Sequence, residues 1–247
     1  EDRYADFPGL NLTYETREGI LKHCSLKNAA ALGELGRRFI EKQQPSLEAQ
    51  LTNLADEIAY NSHDVDDGLR SGLIDVEGLS EVTLFREQYE TVRNRYPELA
   101  PRRTIHEVVR RLIGCQVIDL VETSARALEQ AAPDSIDAVR SHGTALIVFS
   151  DSMREKNLEL KRFLRTRLYR HYRVHRMTAK AARTITSLFE SFVDDPRLMP
   201  DEAQQQASRL EKSAGMEGRA RAVADYIAGM TDRYAIAEYE RTFNPST

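Results

Sequence analysis

Several residue types are scarce in this sequence of 247 residues. Tryptophan is absent, and the two cysteines, Cys24 and Cys115, do not amount to a disulfide framework. No apolar run approaches membrane-spanning length, and no secretory signal opens the chain. We therefore expect a cytoplasmic protein that does not enter a membrane.

Glycine and proline, which interrupt helices, are also few, at 12 and 8 residues. Runs of β-branched residues are rare, whereas alanine, leucine, glutamate and arginine dominate the composition. Hydrophobic residues make up 41% of the chain and charged residues 30%, which allows a sizeable core. The sequence therefore predicts an all-α protein.

Apolar spacing, together with start and stop signals, divides the chain into helices. The predicted helices cover residues 14–41 with a break near 25–28, 46 to about 68–72, 80–94, 104–131, 151–172, 178–193, and two more within 218–239. Ser46 is the expected N-cap of the second helix, and Thr104 and Glu107 form a capping-box pattern that opens the fourth. The segment ALIVFS, residues 145–150, is predicted to be irregular or a short strand.

The helix over residues 46–69 is unusually acidic on one side. At about 100° per residue, its apolar residues fall together and predict a buried face. These residues are Leu47, Leu51, Leu54, Ile58, Val65 and Leu69. The opposite face carries Asp56, Tyr60, His63 and Asp67, with Asp64 beside them. This face is either plainly solvated or used for ligation and hydrogen bonding, which would explain why aspartate, a poor helix former, recurs there.

A second region is strongly basic. Residues 154–183 contain eleven lysines and arginines against only Glu155 and Glu159. Tyr169, His171 and Tyr172 are interleaved with these cations, a combination that could stack bases and follow phosphates of single-stranded DNA.

Four blocks of the sequence resemble, in order, the C-terminal part of the HD-domain triphosphohydrolases, in particular bacterial deoxyguanosinetriphosphate triphosphohydrolase and its relatives. The blocks are LNLTYETREGILKH (10–23), SLEAQLTNLADEIAYNSHDVDDGLRSGLI (46–74), ELKRFLRTRLYRHYRV (159–174) and VADYIAGMTDRYA (223–235). The resemblance implies a multi-helix HD-domain-like bundle that lacks its N-terminal helices. Residues 1–75 would complete the HD core, including the last metal ligand, and residues 76–247 would form a helical C-terminal region.

The resemblance also implies roles for individual residues. Asp56 would bind a divalent ion, Mg²⁺ or Mn²⁺, while Tyr60, Asp64 and Tyr169 would contact the sugar of the nucleotide and Lys161 and Arg165 its phosphates. Lys22 and His23 are further candidates. The His-Asp pair that names the superfamily, the upstream histidine and the catalytic histidine would all precede residue 1, so no catalytic residue is assigned here. The dipeptide His63-Asp64 lies inside the last-ligand motif and is not that pair.

The function implied for the intact parent is conversion of a deoxynucleoside triphosphate and water to deoxynucleoside and tripolyphosphate. Because the chain starts at Glu1 without methionine, we expect that it was cut from something longer, and that alone it is inactive. Members of such a family would form homo-oligomers. The alternative is a helical assembly module, or one that binds single-stranded DNA through residues 154–183, without catalysis.

Overall fold

The structure, a computed structural model, describes residues 4–7, 9–21 and 24–245, and Lys22 and His23 lie outside them. Regular secondary structure in the described residues is helical, without a strand, which confirms the all-α prediction. None of the described helices is long and apolar enough to cross a membrane. The chain divides into two compact units, Glu1–Leu168 and Tyr169–Thr247. The predicted boundary of the HD core at residue 75 stays a prediction.

Unit 1 contains nine α-helices among its described residues. They are α1 (Tyr14–Ile20), α2 (Leu26–Ala31), α3 (Glu34–Glu41), α4 (Leu47–Ser71), α5 (Val76–Leu79), α6 (Thr83–Arg95), α7 (Pro101–Ala131), α8 (Ile136–Ser141) and α9 (Asp151–Phe163). A π-helical turn, Leu164–Tyr169, continues α9. The core of the unit lies among α4, α6, α7 and α9, where Val65, Phe85, Leu112 and Leu160 are almost fully buried. Residues 145–150 form an irregular segment, which is one of the two predicted forms.

The predicted start of the longest helix is wrong. Helix α7 begins at Pro101 with Ala100 as its N-cap, so Thr104 lies inside the first turns instead of capping them. Proline suits the first helical position because the N–H that it lacks would have no partner within the helix there. The Thr104 hydroxyl donates to the carbonyl oxygens of Leu99 and Ala100, at 3.2 Å each.

Unit 2 contains α10 (Tyr172–Asp194), a 3-10 turn (Pro196–Leu198), α11 (Asp201–Ala228) and α12 (Asp232–Phe243). Helix α11 is kinked at Ala214 and Gly215, whose backbone angles are not helical. Its core is built around Leu188, Phe192 and Val223. Two predicted boundaries in the basic region are wrong. The helix predicted over 151–172 changes to a π-helical turn after Phe163, and the helix predicted from 178 begins at Tyr172.

Candidate active site

Helix α4 carries the candidate metal ligand Asp56 and two of the candidate sugar ligands, Tyr60 and Asp64. The Ser46 hydroxyl accepts a hydrogen bond from Ala49 N at 3.3 Å, so the predicted N-cap is confirmed. At the other end Gly72 adopts a left-handed conformation, φ 68°, and its N–H bonds to the carbonyls of Gly68 and Leu69. Between these caps the helix is unbroken, so Asp56, Tyr60 and Asp64, each four residues apart, lie on one face.

Burial along α4 follows the predicted faces with one exception. Tyr60 is 59% exposed, Asp56 is exposed and Asp64 is half-buried, while Ile58 and Val65 are buried at 3% and 0%. Leu51, predicted to be buried, is 48% exposed.

The packing at this level of α4 instead uses Gln50, which is 4% exposed. Its side-chain oxygen accepts the backbone N–H groups of Leu146 and Ile147, at 2.8 and 3.1 Å. The buried sector is therefore turned toward the irregular segment 145–150, which has no regular backbone partners of its own, and Leu51 is left outside.

Helix α9 is fixed beside α4 and α6 by polar contacts. The Glu159 carboxylate accepts the backbone N–H of Thr83 at 2.9 Å and thereby satisfies a donor at the first residue of α6. Lys156 lies 2.7 Å from Glu87 of α6. Lys161 Nζ lies 2.7 Å from Glu57 Oε1, next to Asp56 in the sequence of α4. The structure therefore brings Lys161, a predicted phosphate ligand, to the helix that carries Asp56.

The π-helical turn packs closely on the last turns of α4. A Cβ atom at Gly68 would lie 3.4 Å from Leu168 Cδ1 of the turn, which is an ordinary contact distance. It would lie only 2.6 Å from Ile74 Cδ1, so a larger residue at this position would require the Ile74 side chain to shift. Arg165 lies in the turn and is exposed. Tyr169 is the last residue of the turn, is 37% exposed and belongs to unit 2. π-helical turns are rare and often occur at functional sites.

A cavity of about 770 Å³ opens between α4, α7, α9 and the irregular segment 145–150. Glu57, Lys161 and Asn157 are among its lining residues, together with apolar side chains such as Leu54 and Phe149. Asn157 is only 2% exposed, and neither its amide nitrogen nor its amide oxygen has a hydrogen-bond partner among the described residues. The size is within the range of small-molecule pockets, about 300–1,000 Å³.

A divalent ion needs several ligands, and Asp56 supplies one. Among the residues that the structure describes, no three histidine, cysteine, aspartate or glutamate side chains come close enough to hold a metal ion. The described residues therefore do not make a complete metal site. They offer the carboxylate face of α4 and, next to it, the cavity lined by Glu57, Asn157 and Lys161. Among the described residues, Lys161 is the one predicted site residue that lines this cavity.

Sequence reasoning gave Glu57 and Asn157 no role in the site. Glu57 was visible only as one of several acids, and its contact with Lys161 joins helices that are far apart in the chain. Asn157 left a clearer signal, because it occupies a position of the apolar stripe of α9 between the buried residues Met153 and Leu160. A polar residue at such a position marks either a buried hydrogen bond or a ligand contact.

Comparison with known proteins finds similarity to phosphohydrolases in the C-terminal part of the chain and over nearly its whole length. Residues 147–241 match the phosphohydrolase-associated domain. The chain is 55% identical over 98% of its length to a deoxyguanosinetriphosphate triphosphohydrolase-like protein of Thiobacillus denitrificans. Proteins with the same description from Bordetella pertussis and Nitrosomonas europaea are 54% and 53% identical over the same share of the chain. The chain spans 61–63% of the length of these three relatives. The resemblance in the four sequence blocks is thus confirmed: nearly all of this chain is similar to part of the deoxyguanosinetriphosphate triphosphohydrolase-like proteins.

Proposed function

We propose that this chain is part of a metal-dependent enzyme that hydrolyses a deoxynucleoside triphosphate to deoxynucleoside and tripolyphosphate. The names of its relatives and the phosphohydrolase-associated domain support the phosphohydrolase family. In this proposal Asp56 is one ligand of a divalent ion, Mg²⁺ or Mn²⁺, and the other ligands come from outside the described residues. We expect the 247-residue chain alone to be inactive, and the intact protein to be a cytoplasmic homo-oligomer.

The observation that carries the proposal is the position of Lys161. A triphosphate carries about four negative charges and would be repelled by the acidic face of α4 unless cations offset that charge. Lys161 pairs with Glu57, about 100° around α4 from Asp56 and so at the edge of that face, and it lines the cavity. Its side chain is 41% exposed and that of Glu57 26%, so the ion pair between them is partly solvated and can exchange for a phosphate at small cost. Arg165, on the following turn, would supply a second cation.

Sugar recognition is assigned to the same face of α4. Asp64 would accept a hydrogen bond from the 3'-hydroxyl, and Tyr60 would pack against the deoxyribose. Tyr169, which lies in unit 2, is assigned to the sugar by the family resemblance. A ribonucleotide would then bring a 2'-hydroxyl into a space without a partner for it, and such unpaired polar groups are strongly disfavoured.

Lys161→Ala in the full-length protein tests the proposal. We expect kcat/KM for dGTP to fall by about 10- to 100-fold, the scale of one charge-assisted hydrogen bond to phosphate. Lys156→Ala is the matched control, because Lys156 lies on the same helix and pairs with a glutamate at the same 2.7 Å, but toward α6. Its kcat/KM should stay within about twofold. Equal losses in both variants would contradict the assignment of Lys161.

Metal content and the isolated chain provide a second test. Asp56→Ala should remove bound metal and activity together, whereas Lys161→Ala should leave the metal in place. Robust metal-dependent release of tripolyphosphate by the 247-residue chain would overturn the view of Asp56 as a partial site.

Helix α10 favours the second candidate function, binding of single-stranded DNA. Every residue from His175 to Arg183 is exposed, so this basic stretch does not pack into unit 2. Tyr172 is 60% exposed, and the guanidinium groups of Arg173 and Arg176 lie 5.9 and 5.7 Å from its ring centre. Exposed rings with neighbouring cations suit stacked bases and phosphates. Fluorescence anisotropy with oligo-dT should show affinity that falls steeply with salt and falls further in Arg176→Ala; a salt-independent signal would exclude this mode.

A further inference from the structure

Helix α7 has an apolar face that the described residues leave uncovered. Val117, Ile118 and Val121 are 42%, 59% and 61% exposed, and a Cβ atom at Gly114 would have no neighbour within 4 Å. The opposite side of α7 is buried against α4 and α6. At about 100° per residue, Gly114, Ile118 and Val121 share one stripe that also includes Ala125. A contiguous exposed apolar stripe on a long helix is typical of an interaction surface.

The charges around this stripe are distributed unevenly along the helix. At about 100° per residue, Arg103 and Arg110 flank one edge of the stripe toward the N-terminus of α7. Glu122 and Glu129 flank the other edge toward the C-terminus, and all four residues are exposed. Arg110 and Glu122 are equally far along the helix from Gln116, in opposite directions, and so are Arg103 and Glu129. Gly114, the smallest residue of the stripe, and Ile118, a large one, are also equally far from Gln116 in opposite directions. The face is therefore complementary to itself when the helix direction is reversed.

We propose that this face of α7 binds α7 of a second copy of the chain, antiparallel, about a two-fold axis at the level of Gln116. Ile118 of each copy would then lie against Gly114 of the other, where the missing side chain lets the helices approach closely. Arg110 would face Glu122 and Arg103 would face Glu129, so each pair occurs twice in the dimer. A shallow crossing of about 20° keeps all four pairs within reach of their long side chains.

Arg110 already pairs with Glu107 at 2.6 Å within one copy. Glu107 is as far from Gln116 as Ala125, so in the antiparallel dimer it would lie opposite a small side chain and meet no acid. Arg110 can then contact Glu107 of its own copy and Glu122 of the other. A single helix pair is a small interface, so we expect a dissociation constant on the order of micromolar.

Analytical ultracentrifugation of the 247-residue chain over a concentration series tests this interface. The wild type should be dimeric at about 100 µM, and Ile118→Asp should raise the dissociation constant by about 100-fold or more, because it places two carboxylates in the apolar stripe. Ile236→Asp on α12, a similarly exposed isoleucine at 47%, is the control and should change nothing. Circular dichroism confirms that each variant remains helical.

Charge reversal supplies a test that does not depend on the apolar stripe. Arg110→Glu and Glu122→Arg should each raise the dissociation constant by about 10-fold, because each turns two attractive pairs into two repulsive ones. The double variant restores both pairs and should return to within about threefold of the wild type. Three outcomes would overturn the proposal in favour of another occupant of this face. They are a wild type that stays monomeric, an Ile118→Asp variant that dimerises normally, and a double variant that binds as weakly as the two single changes combined predict.

Discussion

The amide of Asn157 is buried in unit 1, and we expect that replacing this residue with leucine makes the unit more stable. Asn157 is only 2% exposed, and both amide atoms lack a hydrogen-bond partner among the described residues. Each buried unpaired polar group costs about 1–3 kcal/mol, and leucine has the same branched shape without that cost. The variant also adds apolar contact to the neighbouring core residues Met153 and Leu160. We therefore expect Asn157→Leu to raise the free energy of unfolding by about 1–3 kcal/mol.

Urea unfolding followed by circular dichroism measures this change. The midpoint should rise with an unchanged m-value, and the melting temperature should rise by roughly 2–12 °C, given about 2–4 °C per kcal/mol for a chain of this size. Asn53→Leu on the exposed side of α4 is the matched control and should stay within about 0.5 kcal/mol. If Asn157→Leu is neutral or destabilising while the control behaves as expected, the amide is satisfied in solution and the reasoning is refuted.

Two further predictions concern the ends of the described chain. Glu18 is fully buried, and its carboxylate lies 2.7 Å from Arg38 Nε and 3.2 Å from Arg140 Nη2. We expect Glu18→Gln to lower the free energy of unfolding, measured by urea unfolding, by about 3–5 kcal/mol because it breaks this buried ion pair. The exposed Glu15→Gln is the control and should have little effect. In unit 2, burial and a hydrogen bond with Tyr234 raise the pKa of the Tyr226 hydroxyl above its ordinary 10.0. Because the folded state favours the neutral phenol, the contribution of Tyr226 to the free energy of unfolding is present below pH 10.0 and is lost as the pH rises through the raised pKa. Urea unfolding across this pH range should therefore show a smaller loss of stability at alkaline pH for Tyr226→Phe than for the wild type.

Helix α4 could be predicted nearly to the residue because its signals are local. The Ser46 hydroxyl caps the N-terminus by accepting a hydrogen bond from Ala49 N, three residues along the chain, and Gly72 ends the helix through its own left-handed backbone conformation. Exposure of Asp56 and Tyr60 followed from the same periodicity. The assignment of these two residues to metal and sugar came from family resemblance and stays a prediction.

Other features could not be read from the sequence because distant residues decide them. Next to the exposed Leu51, it is Gln50 that is buried, where its side-chain oxygen accepts the backbone N–H groups of Leu146 and Ile147 far along the chain. The same holds for the π-helical turn after Phe163, which lies where Leu168 packs on Gly68. In α7 two local signals competed, and the proline at Pro101 prevailed over the capping-box pattern at Thr104.

The acids that crowd α4 differ in their surroundings, although their spacing makes them look alike. Glu57 pairs with Lys161, and Asp67 pairs with Arg70 one turn farther along the same helix. The Asp67 pair is largely exposed and contributes little to stability, as surface pairs generally do. The Glu57 pair is more buried and holds a cation at the cavity, so it keeps Lys161 in place while no anion is bound there. An anionic ligand that takes Lys161 leaves Glu57 without its counter-charge, and the net attraction is smaller than that of a free lysine. Under the proposed function, this arrangement favours an anion that brings or meets additional positive charge, as a triphosphate bound together with a divalent ion would.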